Sequence, residues 1–242
     1  MRTSKKFSFG VRLRKGQDLV AYLNGFANYN PPRLLESPGE VSSLVNNIAG
    51  YNASEAEQLE IYRNATFERA KAFRKGSGSI DSMATAIRSA VIAQYGTRSA
   101  ELNSVNIILR RLRSNTVIKT EAETVPTEPV DSTTPRTRSH SERSYAATTQ
   151  IFNNLVSTLG KFNAYDPAIT SLKLPALQAV GLNLTTLNDA VANSVKALKS
   201  AREARDLAFN DFNERVLRIK AYVKAQYGTK SEEAKLIGGL GI

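Results

Sequence analysis

The chain has 242 residues, 41% of them hydrophobic and 23% charged, and lacks any long apolar run, which places it among globular proteins that fold in water and excludes a membrane-spanning or wholly disordered class. Zero cysteines remove thiol nucleophiles, Cys-ligated zinc and iron–sulfur clusters. Thirty-three Lys and Arg against 22 Asp and Glu give a net charge of +11, and the excess sits mostly in residues 1–120, with 18 basic and 9 acidic groups there against 12 and 8 in residues 145–242.

The chain begins with a basic arm, residues 1–15, that carries Arg2, Lys5, Lys6, Arg12, Arg14 and Lys15 without one acid. Such a cluster suits phosphates or an acidic partner. Phe7 and Phe9 interleave with the charges, and the weightier expectation is that Phe7, Phe9 and Val11 dock on the protein while the charges stay in solvent. No seven-residue apolar stretch of a secretory signal follows, so a cytoplasmic location is expected.

A helix is predicted over Val11–Asn28, before the break at Pro31-Pro32. Val41, Leu44 and Ile48, then Leu59, Tyr62 and Phe73, mark a further helical stretch. "RKGSGS" at 74–79 has glycines but the wrong order for a phosphate-binding loop, and reads as a helix–helix turn. Ile80, Ala84, Ile87 and Val91 then repeat at intervals of four, three and four, one apolar face of a helix.

That helix runs into "QYGTRSAE" at 94–101, which recurs as "QYGTKSEE" at 226–233, a spacing of 132 residues. Gly96 and Gly228 suit the left-handed position after a helix end, while Ser99 and Ser231 suit N-caps with Glu101 and Glu233 near the positive helix end. Tyr95 and Tyr227 are expected to seal the bundle end against the turn rather than offer their hydroxyls to a partner. The next helix repeats Leu102, Val105, Leu109 and Leu112, and Arg110, Arg111 and Arg113 suit its negative end and form a second candidate polyanion-binding group.

Glu121–Ser144 has three prolines, many Ser and Thr and almost no apolar residue, and reads as a linker. It holds the only histidine, His140, taken as a solvated bystander because a general base needs fixed geometry. Beyond it come a helix over Tyr145–Asn163, a seam of Leu177, Val180, Leu184, Leu187, Val191, Val195 and Leu198 on one long helix, and a stripe of Phe212, Val216, Ile219 and Val223 that matches the earlier one at the same spacing of 132. "YNP" at 29–31 pairs with "YDP" at 165–167 at a spacing of 136. The last helix is expected to stop early at "LIGGLGI".

The final stretch, "IKAYVKAQYGTKSEEAKLIGGLGI", resembles the C-terminal tail of a group of uncharacterised bacterial helical proteins with a Val-Lys-Ala, Tyr-Gly, Ser-x-Glu pattern. The resemblance implies a helical fold and carries no activity.

The expected fold is therefore all-α, two related antiparallel four-helix bundles from an internal duplication, with bundles at 16–120 and 145–242, the linker between them and a stunted last helix in the second. Glu55, Glu57 and Glu60 cluster on one helix, Glu203 and Asp206 alternate with Arg202 and Arg205 in the manner of a solvated face, and the Glu-x-x-His motif of a di-iron bundle is missing. No catalytic residue, metal or cofactor is assigned. The expected function is a non-enzymatic structural or protein-interaction role with self-association, without membrane insertion. The alternatives are sequence-independent nucleic-acid binding through the basic arm and an enzyme with an unrecognised site.

Overall fold

The structure, a computed structural model, describes residues 8–74, 76, 78–113, 117–118, 140–141 and 144–241. Among these it is all-helical apart from one pair of two-residue strands. Its elements are α1 (Phe9–Gly25), a 3-10 turn η1 (Leu34–Glu36), α2 (Pro38–Arg74), α3 (Ile80–Tyr95), α4 (Ala100–Arg113), β1 (Val117–Ile118), β2 (His140–Ser141), α5 (Tyr145–Leu159), a second 3-10 turn η2 (Thr170–Leu172), α6 (Leu174–Tyr227) and α7 (Glu232–Gly239). The two strands pair antiparallel, Val117 with Ser141 and Ile118 with His140. The rest of the expected linker, up to Arg143, and Lys5 and Lys6 of the expected basic arm lie outside the described residues.

Helix starts follow the serines. Ser8, Ser79, Ser99, Ser144 and Ser231 each accept a bond from the backbone N–H three residues on, at 3.4, 3.4, 3.1, 3.1 and 3.1 Å, which satisfies one of the orphan donors of a first turn. Gly96 and Gly228 both take positive φ, +88° and +96°, as expected. At Gly96 ψ is 169°, an extended mirror-image conformation rather than the left-handed helical one. Only glycine enters that region without strain, so the glycine requirement stands for a different reason.

The predicted helices at Val11–Asn28 and Tyr145–Asn163 end earlier, at Gly25 and Leu159. The chain leaves the helix before Phe26 and Phe162, whose rings then stand edge-on to Tyr227 and Tyr95, each 5.8 Å away. Three residues before each proline, Asn28 and Ala164 take positive φ of 59° and 56°.

The two compact units are not the two halves of the sequence. Unit 1 comprises residues 1–63 and 193–242, and unit 2 residues 64–192. The core of unit 1 joins Leu19, Leu23, Val41 and Ile48 to Phe209, Phe212, Val216, Ile219 and Val223. That of unit 2 joins Ile80, Ala84, Ile87 and Val91 to Phe152, Leu155, Leu159 and Leu177. Both predicted stripes are buried, each in a core that joins its own neighbour, α4 or α7, to helices from the other half of the chain.

The physical reason lies in α6. In the first half Gly76 and Gly78, with φ of +94° and +85°, break the helix between α2 and α3. The corresponding positions 208 and 210 are Ala and Asn, so α6 continues unbroken for 54 residues. An unbroken helix cannot fold back on itself, and its later stripe finds α1 and the start of α2 instead. The second half accordingly has three helices, and the expected four-helix bundle within it is not formed. Along α6 the buried apolar positions recur every seven residues, Leu177, Leu184, Val191 and Leu198, whereas Val195 is turned to solvent and Ser194 takes the buried place. The last helix, α7, does stop after eight residues, buried through Ala234 and Ile237.

Candidate binding groove beside the first 3-10 turn

Each unit is closed by one corner built the same way. In unit 1 the Tyr227 hydroxyl donates to the Ala27 carbonyl at 2.7 Å and the Gln226 amide to the Asn28 carbonyl at 2.6 Å. In unit 2 the Tyr95 hydroxyl donates to the Asn163 carbonyl at 2.8 Å and the Gln94 amide to the Ala164 carbonyl. Tyr29 donates to the backbone carbonyl of Glu36 at 3.0 Å, and Tyr165 to that of Leu172 at 3.1 Å. Burial is the main cause that raises the pKa of both hydroxyls, that of Tyr165 to about 12, so both remain donors. The repeated octet thus supplies a Gln–Tyr clamp for the loop after α1 or α5. The expected sealing role of Tyr95 and Tyr227 is refined, since their hydroxyls are committed to backbone carbonyls.

The two corners differ in their side chains, and unit 1 has a groove. Pro31, Pro32, Arg33, Glu36, Arg218 and Tyr222 line an open cavity of about 390 Å³, together with Ala221 and Ala225. Tyr222 is itself held by a hydrogen bond to the Asn30 carbonyl. Glu36 is only 3% exposed. Its Oε2 lies 3.6 Å from Arg33 Nε and its Oε1 3.6 Å from Arg218 Nη1, ion pairs too long to be hydrogen bonds, and Oε1 has no hydrogen-bond partner.

The residues at the same places in unit 2 are Pro167, Ala168, Ile169, Leu172, Ala86 and Ala90. Leu172 is as buried as Glu36, at 3%. An apolar side chain therefore satisfies this position of the fold, and the polar set in unit 1 is not a packing requirement. Sequence reading missed Glu36 and Arg218. The signal was present in the alignment at a spacing of 136, which sets a carboxylate against a leucine.

The described members of the predicted polyanion-binding set are mostly occupied. The Arg12 guanidinium lies 4.2 Å from the centre of the Phe209 ring and donates to Asn213 Oδ1 at 3.0 Å, with its pKa lowered by burial against the opposing pull of Asp206. Phe9 docks on Phe209, ring centres 5.1 Å apart, as expected, and also receives Arg205 at 3.7 Å, whereas Val11, expected to dock with it, is exposed. Arg14 pairs with Asp18 at 3.4 Å, and Lys15 donates to the Gly241 carbonyl at 3.0 Å. Arg113 donates to Thr85 Oγ1 at 2.9 Å, while Arg110 and Arg111 are exposed. Residues 12–15 belong to unit 1 and 110–113 to unit 2.

Glu55, one of the clustered glutamates, bridges Arg202 at 3.0 Å and Arg205 at 3.2 Å. Among the described residues no group of three or more His, Cys, Asp or Glu is placed to hold a metal ion, and no helix is long and apolar enough to cross a membrane. No protein-family model matches the chain, and comparison with curated proteins and with solved structures finds no match.

Proposed function

We propose that the chain is a non-enzymatic helical protein that works by binding another protein, a second copy of itself first, at the Leu34–Leu35 corner of unit 1. One observation carries the reading. Leu34 is 76% exposed and Leu35 40% exposed on a backbone that is firmly held: the Leu35 carbonyl accepts from Arg215 at 3.0 Å, the Leu34 carbonyl from the Ser37 N–H at 2.9 Å, and Tyr29 fixes the next carbonyl. A rigid turn that keeps two large apolar side chains in water suits a partner surface. The matching turn in unit 2 carries Thr170 and Ser171. We also take the two halves of the sequence to derive from one ancestral half-chain by duplication, on the strength of the matched Gln–Tyr clamps, Tyr-to-carbonyl bonds and positive-φ residues.

The test is molar mass by light scattering over a concentration series, for the wild type and for a Leu34→Thr, Leu35→Ser variant that borrows the unit 2 residues. The wild-type mass should rise toward a dimer and the variant should stay monomeric. A wild-type chain that is monomeric throughout, or a variant that associates equally well, overturns the reading.

A further inference from the structure

The polar groups around Glu36 have no structural task that an apolar set does not already perform in unit 2, and burial of a carboxylate is costly unless something uses it. Leu172 occupies the matching position at the same 3% exposure, with the same tyrosine bonded to its backbone carbonyl. Glu36 Oε1 is a buried acceptor without a donor, and Glu36 lines the groove. Around it the inventory is uneven in the opposite sense. Beyond their 3.6 Å ion pairs with Glu36, the Arg33 side chain makes no hydrogen bond and Arg218 makes one, from Nη2 to Glu214 at 3.3 Å. A guanidinium has five N–H donors, so the groove has several donors to spare and one acceptor. Both arginines are half exposed, at 50% and 44%, and within reach of an incoming ligand.

We infer that this groove is a binding site for a small organic anion with a flat apolar body and one N–H or O–H group. Its acid group would be held by Arg33 and Arg218, because guanidinium matches carboxylate in a two-point fork. Its N–H or O–H would donate to Glu36 Oε1, and its body would lie against Pro31, Pro32 and the Tyr222 ring. A cation is disfavoured by the two arginines. The cavity of about 390 Å³ falls in the range of small-molecule sites. The inference is independent of the partner reading, since neither Leu34 nor Leu35 lines the groove.

The experiment is a calorimetric titration of the full chain with three probes: indole-3-acetate, which has all three features, phenylacetate, which lacks the N–H, and 3-methylindole, which lacks the acid. Indole-3-acetate should bind at least about tenfold tighter than phenylacetate, the usual discrimination of a site whose buried polar group would otherwise stay unpaired. Glu36→Leu and Arg218→Ala borrow the residues of unit 2 and so should fold. Glu36→Leu should erase the preference for the N–H without lowering the melting temperature, and Arg218→Ala should weaken both acids and leave 3-methylindole unchanged. The inference is overturned by the absence of saturable binding of indole-3-acetate at millimolar concentration, by equal affinity for the two acids, or by a Glu36→Leu melting point more than about 3 °C below wild type, which would make Glu36 a structural residue.

Discussion

Tyr227 and Tyr95 show how a single residue type can be fixed by two demands at once. The ring must meet Phe26 or Phe162 edge-on, and the hydroxyl must reach a loop carbonyl 200 or 68 residues away in the chain. Phenylalanine meets the first demand and fails the second. Tyr227→Phe and Tyr95→Phe should each cost about 1 kcal/mol, the net value of one hydrogen bond, and the double variant should lose the sum because the two sites share no partner. Urea denaturation of the three variants measures this. A double variant no weaker than either single would show that the clamps act as one.

At the scale of the helix, α1 is placed by a glycine. A Cβ at Gly16 would stand 3.1 Å from the Phe212 ring and 3.1 Å from a Val45 methyl, whereas one at Gly50, in α2, would meet nothing within 4 Å. Alanine improves helix propensity at both by about 1 kcal/mol. At Gly16 that gain is opposed by overpacking, typically about 1–3 kcal/mol in a filled core. Gly50→Ala should therefore raise the melting temperature and Gly16→Ala lower it, read by circular dichroism. An increase at both would mean that the α1–α6 contact is loose enough to yield.

The whole molecule is assembled by exchange: Phe212 to Val223 of the second half fill the core around Leu19 and Ile48 of the first, and Ile80 to Val91 of the first fill the core around Phe152 and Leu159 of the second. Residues 1–120 and 145–242 made as separate chains should each lack a complete core. Alone, they should show no cooperative thermal transition, and when co-expressed they should purify as a one-to-one complex that melts cooperatively. Cooperative melting of either half on its own would refute the exchange.

The sequence alone determined what is written in short windows. The serine caps at 99 and 231, the glycines at 76, 78, 96 and 228, the apolar stripes of α3 and α4 and the Phe212–Val223 stripe of α6 each depend on a few neighbouring residues and on helical periodicity, and they stand where the spacing put them. Helix ends at Gly25 and Leu159 were misjudged because the aromatic partners that draw Phe26 and Phe162 out of the helix are far away in sequence. Glu36 was legible only against Leu172, and its meaning needed the burial of both. Which stripe packs against which helix was decided by the tertiary structure. Apolar contact is non-directional, so one stripe fits many partners, and the choice fell to whether the chain breaks at 76–78 or runs on through 208–210.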